Sequence, residues 1–228
     1  MTKPAFTLAE VLITLGVIGV VAAMTMPTLI QNHKKHVVET RLQKFYSVIS
    51  QALKQAEVDN GEFTTWTKED MAYDENGELD YDKQESIAKN LFMKYTAPYL
   101  KYIKITDGEV TVDENGAKVY NRPIVYLADG TTFTIYNGSC LSHIIDIDGP
   151  KGSNVMGKDI FPFLICFSDN NRKSYCGSEN ILFCPYSDKQ FLNNREKLKE
   201  KCQSEPKYCG SLIMHDGWKI KNDYPHRL

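Results

Sequence analysis

From Phe6 to Ile30 the chain is almost unbroken hydrocarbon, interrupted by a few small polar residues and one carboxylate. Twenty-five residues of helix at about 1.5 Å rise exceed a bilayer hydrocarbon core of about 30 Å. That run dictates much of the rest, because it must lie in a bilayer or against other apolar surface. Glu10 sits just inside its amino-terminal edge. An ionisable group at that depth costs roughly 2.5–3.5 kcal/mol on insertion scales, so it calls for a partner. Cutting the chain just before the run would free an amine of the right charge.

The residues around that point have a recognisable pattern. Met1-Thr-Lys-Pro-Ala5 followed by Phe6-Thr-Leu-Ala-Glu10 resembles the leader and cleavage site of the type IV pilin superfamily, which includes the type II secretion pseudopilins. The resemblance implies removal of residues 1–5 by a prepilin peptidase, with the cut between Ala5 and Phe6. It also implies N-methylation of Phe6 and an assembly role for Phe6, Glu10 and the helix-bending Pro27. Gly16 and Gly19 fall where helices of that family commonly carry glycine. Ala5 stands where Gly is usual; it is the next smallest residue. The implied partners are the membrane, further copies of the chain in a helical filament, related minor pilins or pseudopilins, and the peptidase, platform and ATPase of an assembly machine. The implied location is the bacterial inner membrane, single-pass, with the ectodomain outside the cytoplasm, and then a filament in the periplasm or on the cell surface. The resemblance covers about the first 30 residues.

Two plainer readings compete. A secretory signal wants an apolar core of about 7–15 residues, shorter than this one. An uncut single-pass anchor carrying a binding ectodomain fits the hydropathy equally well. Charge by itself favours neither, since Lys34, Lys35, Arg41 and Lys44 follow the span and only Lys3 precedes it. The positive-inside rule alone would put the carboxy-terminal part in the cytoplasm. The leader resemblance and the cysteines argue for the opposite side.

Six cysteines, at positions 140, 166, 176, 184, 202 and 209, all lie in the last two-fifths of the chain. None forms a Cys-x-x-Cys or a zinc-finger spacing, and an even count behind a membrane-crossing segment reads as disulfides. Cys140, Cys166, Cys176, Cys184, Cys202 and Cys209 allow 15 connectivities. Only Cys202 with Cys209, across a loop containing Pro206, is favoured locally. With 27 basic against 29 acidic residues, the chain has no electrostatic footprint for nucleic acid.

Beyond the apolar run, Val38, Leu42, Phe45, Ile49, Ala52 and Ala56 recur at helical steps, which predicts an amphipathic continuation ending at Asp59-Asn-Gly61. A loop over 62–82 and a second helix over 83–96 follow, the latter with Ile87, Leu91 and Tyr95 on one face. Glu114-Asn-Gly116 and Asp129-Gly130 mark two hairpins. Strands are expected over 124–127, 132–136, 141–147 and 163–167, with a short helix over 193–202 and a last strand over 211–215. The expected class is α+β and pilin-like, a long amino-terminal helix packed on an antiparallel sheet. Its parts are a leader (1–5), a membrane and assembly half-helix (6–30), an amphipathic half-helix (31–60) and a globular disulfide-containing ectodomain (61–228).

Chemistry-bearing motifs are few. Gly152 to Lys158 has phosphate-loop spacing, but Asp159 stands where Ser or Thr should bind magnesium. Asp146 and Asp148, with Asn154 and Asp159, begin like a calcium loop, and some major pseudopilins hold calcium in a surface loop. Pro150 and Gly157 break the EF-hand pattern, so a turn rich in Asx hydrogen bonds is the favoured reading of these four residues. His33 and His36 are read as interfacial residues beside Lys34 and Lys35. Asn137-Gly-Ser139 is a formal glycosylation acceptor. Hydrolase and metalloprotease signatures are missing, and an enzyme is not expected.

Overall fold

The computed structural model describes residues 7–112, 118–150, 152 and 154–228. It divides into two compact units, one running through Val37 and the other Val38–Arg227. A single helix, α1 (Leu8–Asn60), contributes to both. In the first unit its apolar residues are exposed, Leu8 at 78% and Leu29 at 70% among them. Pro27 lies inside the helix.

In the second unit α1 buries Val38, Leu42, Phe45, Ile49, Ala52 and Ala56, the stripe expected from the periodicity, together with Leu53. Phe45 meets Phe133 and Phe163 edge-on, both at 5.3 Å, so helix and sheet share one aromatic core. Gly61 follows the helix at φ +78°, the left-handed conformation that glycine adopts without a Cβ clash. Helix α2 (Tyr81–Tyr95) begins two residues earlier than expected, because the Asp80 side chain accepts from the Lys83 N–H and caps it. Ile87, Leu91 and Tyr95 are buried as its pattern required.

The strands are β1 (Lys104–Ile105), β2 (Glu109–Val112), β3 (Lys118–Asn121), β4 (Ile124–Tyr126), β5 (Thr132–Asn137), β6 (Leu141–Asp146), β7 (Ile160–Ile165) and β8 (Phe183–Pro185). Six of them form an antiparallel sheet in the order β1-β4-β5-β6-β7-β8. β2 pairs with β3 by itself, and the Glu114-Asn-Gly116 turn of that hairpin lies outside the described residues. Asp129-Gly130 turns β4 into β5, with Gly130 at φ +84°. β7 starts three residues before its expected position and takes in Pro162. That proline is tolerated because its carbonyl, and hence its missing N–H, faces the β8 side. There Tyr186 N–H donates to the Pro162 carbonyl just beyond the last β7–β8 pair, Phe163 with Pro185.

After β7 come a single helical turn, α3 (Asp169–Asn171), a π-helical turn over Arg172–Cys176, α4 (Lys189–Leu192), α5 (Arg195–Ser204) and α6 (Cys209–His215). The strand expected over 211–215 is therefore a helix. Ser211, Leu212 and Ile213 are all buried. A short apolar run buried on every side carries no period that separates strand from helix. A Cβ at Gly210 would sit 3.4 Å from Pro185, so a small residue here lets α6 approach β8. The fold is α+β, a long amino-terminal helix with an antiparallel sheet, as expected.

Candidate functional site

The exposed half of α1 is the least self-sufficient surface of the molecule. Val11, Leu12, Ile13, Leu15, Val17 and Ile18 are each at least 43% exposed, and the exposure continues to Ile30. It is the one described helix long and apolar enough to cross a membrane. Open space surrounds Gly16 and Gly19, so either could admit a closely packed neighbour.

At its start Glu10 is engaged. Thr7 N–H and the Thr7 hydroxyl both donate to Glu10 Oε2 at 2.8 Å, and Glu10 N–H donates back to Thr7 Oγ1 at 3.3 Å. This is a capping box, Thr-x-x-Glu, which satisfies amino-terminal donors and favours negative charge at the helix start. The Thr7-x-x-Glu10 spacing is itself a sequence signature of a helix start. It lowers the cost of carrying Glu10 near a bilayer, because the carboxylate enters with two donors. Ala5 and Phe6 lie outside the described residues.

The calcium-like residues stand around the β6–β7 connection. Gly149 N–H donates to Asp146 Oδ1 at 2.9 Å, and Val155 N–H donates to Asp159 Oδ1. Asn154 adopts φ +50°, a turn conformation that Asn tolerates. Burial, with the charges of Asp148 and Asp159 nearby, pushes the Asp146 carboxyl up to about 6. Calcium needs six to eight oxygens converging on one point. Among the described residues the one cluster whose ligand atoms all lie within 4.8 Å is Cys202, Cys209 and His226. Asp146 and Asp159 thus each hold a backbone N–H of the turn.

Three disulfides close the globular unit: Cys140–Cys166, Cys176–Cys184 and Cys202–Cys209. The last is the locally favoured pair; its sulfurs also explain the cysteine–histidine cluster without a metal. Arg172, fully buried on the π-helical turn, donates to the carbonyls of Cys166, Phe167 and Glu179 and pairs with Asp169. It holds the loops that carry two of these bridges, a role invisible in its sequence context. Asn137 is fully buried and donates to Gln84 Oε1 and to the Glu69 and Asp70 carbonyls, so it is no surface glycosylation acceptor. A hollow of about 350 Å³ is lined by Phe45, Val48, Leu100, Leu127 and the stems of Arg41 and Lys44. Lys44 Nζ at its edge lies 2.6 Å from Asp129.

Comparison with protein families matches residues 28–228 to a family of unknown function, DUF6613, and the chain belongs to that family. The match starts inside α1, at Thr28. Neither the curated proteins nor the solved structures contain a match.

Proposed function

We propose that this chain is a filament subunit of the pilin or pseudopilin type, held in the membrane by the first half of α1 and then assembled through it. The observation that carries the reading is an exposed apolar helix that opens on a capped Glu10, directly after a leader-like segment. In this reading a prepilin peptidase cuts between Ala5 and Phe6 and methylates the new amine. Glu10 then exchanges its Thr7 donors for the Phe6 amine of a neighbouring subunit. An apolar filament core strengthens that attraction and penalises an unpaired carboxylate, so the pair sets the axial register. Head-to-tail contacts of this kind propagate as an open helix rather than closing a ring. The ectodomain decorates the filament, and an assembly platform and ATPase drive extraction from the bilayer. No chemical step is assigned to the ectodomain.

The test is Glu10→Val in cells that also supply the wild-type subunit. Val keeps the helix apolar, so membrane insertion is retained, while incorporation into sheared filaments falls at least tenfold. Incorporation at the wild-type level would remove Glu10 from assembly.

A further inference from the structure

The apolar run of α1 is followed by Gln31, Asn32, His33, Lys34, Lys35 and His36 before the next apolar residue, Val37. Successive helical residues turn by about 100°, so positions 33–36 sweep about 300° of the circumference. They make a collar rather than a stripe. His33, Lys34 and His36 are exposed and Lys35 is half-exposed. No acidic residue occurs between Glu10 and Glu39 to neutralise the two lysines. The next basic residues are used differently: Lys44 pairs with Asp129, and Arg41 donates to the Ile147 carbonyl.

Depth matches as well as charge. Val11 to Ile30 is about 30 Å of helix, the thickness of the hydrocarbon core, and residues 31–36 add about 9 Å, close to the depth of one headgroup layer. Lysine stems can lie along apolar surface while their ammonium groups reach outward to phosphate.

We propose that His33, Lys34, Lys35 and His36 form a collar that binds the headgroups of anionic phospholipids where the helix leaves the bilayer. A protein partner would cover one side of the helix; lipid surrounds it, as the collar does. The collar also gives a reason for basic residues on the side of the span that the positive-inside rule leaves poor in them. The inference rests on the membrane-spanning part of the proposed function and not on filament assembly.

The test uses the full-length chain reconstituted in phosphatidylcholine bilayers with spin-labelled lipid. Association of labelled phosphatidylglycerol is measured relative to labelled phosphatidylcholine. The expected preference for phosphatidylglycerol is about threefold to tenfold at low salt, as a few lysines near the surface would give. It falls towards one in the Lys34→Gln/Lys35→Gln double variant and in molar salt, where screening is short-ranged. Lys54→Gln, an exposed lysine further along the same helix, leaves it unchanged. Equal association for the wild type, or a preference that survives the double variant, overturns the collar. A chain that fails to float with the vesicles overturns the collar and the membrane-spanning reading together. A chain that floats without preference overturns the collar alone.

Discussion

The buried ring of His143 contributes to the acid sensitivity of the globular unit. The ring is fully buried on β6, stacked on Phe133 at 5.2 Å, and neither ring nitrogen has a hydrogen-bond partner among the described residues. Burial pushes its pKa from 6.5 down to about 4. Between those values the unfolded chain holds the proton and the folded chain does not. Stability is therefore fully present above about 6.5 and is lost as pH falls towards 4, by about 3 kcal/mol in all. Asp146 acts in the opposite sense. Its raised pKa, about 6, lets the folded state bind a proton first as pH falls, a stabilising contribution that the wild type and a His143 variant share. Urea midpoints at pH 7.5 and 4.5 separate the two in a His143→Phe variant. The wild type should lose markedly more stability on acidification than the variant; equal losses would take His143 out of the account. Nothing in the sequence marked this histidine, because the alternation of β6 specifies only which face it occupies.

The elements show where reading the sequence succeeds. The α1 stripe, the face of α2 and the hairpins were legible because each rests on a period or a turn dipeptide spanning many residues. The differences are local and tertiary: 211–215 is the helix α6 rather than a strand, and Glu39 carries no mark of its burial among the polar residues of an amphipathic helix. Glu39 is instead buried, accepting from Ile220 N–H at 2.7 Å and from Lys219 Nζ at 3.1 Å, so the carboxy-terminal segment is tied to α1. Only the first of these bonds is buried, and Lys219 is largely exposed. Glu39→Ala should cost about 2 kcal/mol by orphaning a buried N–H, whereas Lys219→Ala should cost under about 0.5 kcal/mol. Similar costs for both in thermal melts would mean that the ion pair, not the backbone bond, fixes the segment. The disulfides differ by loop length in the same way. Cys140–Cys166 spans 26 residues against 8 for Cys176–Cys184 and 7 for Cys202–Cys209. Loop-closure entropy makes its removal by paired Cys→Ala changes about 1 kcal/mol more damaging than removal of either short bridge. An equal loss for all three would point to enthalpy rather than chain entropy.

At the scale of the whole molecule, one chain combines a globular unit that satisfies itself with a helix that does not. The globular unit is closed by three disulfides, a shared aromatic core and a tied carboxy-terminal segment. The first half of α1 keeps its hydrocarbon exposed and its single carboxylate capped. Hydropathy and length make that division visible in the sequence, since a predominantly apolar run of 25 residues outweighs any local ambiguity. The pairing of four of the six cysteines was not visible, because it depends on strand register rather than on spacing. The central claim, processing followed by assembly, is tested most directly by intact mass and amino-terminal sequencing of the membrane-extracted protein, from cells with and without prepilin peptidase. A chain that starts at Phe6 and is one methyl group heavier, seen only when the peptidase is present, is the expected result. A chain that starts at Met1 in both strains would contradict it, and would make the protein an anchored ectodomain.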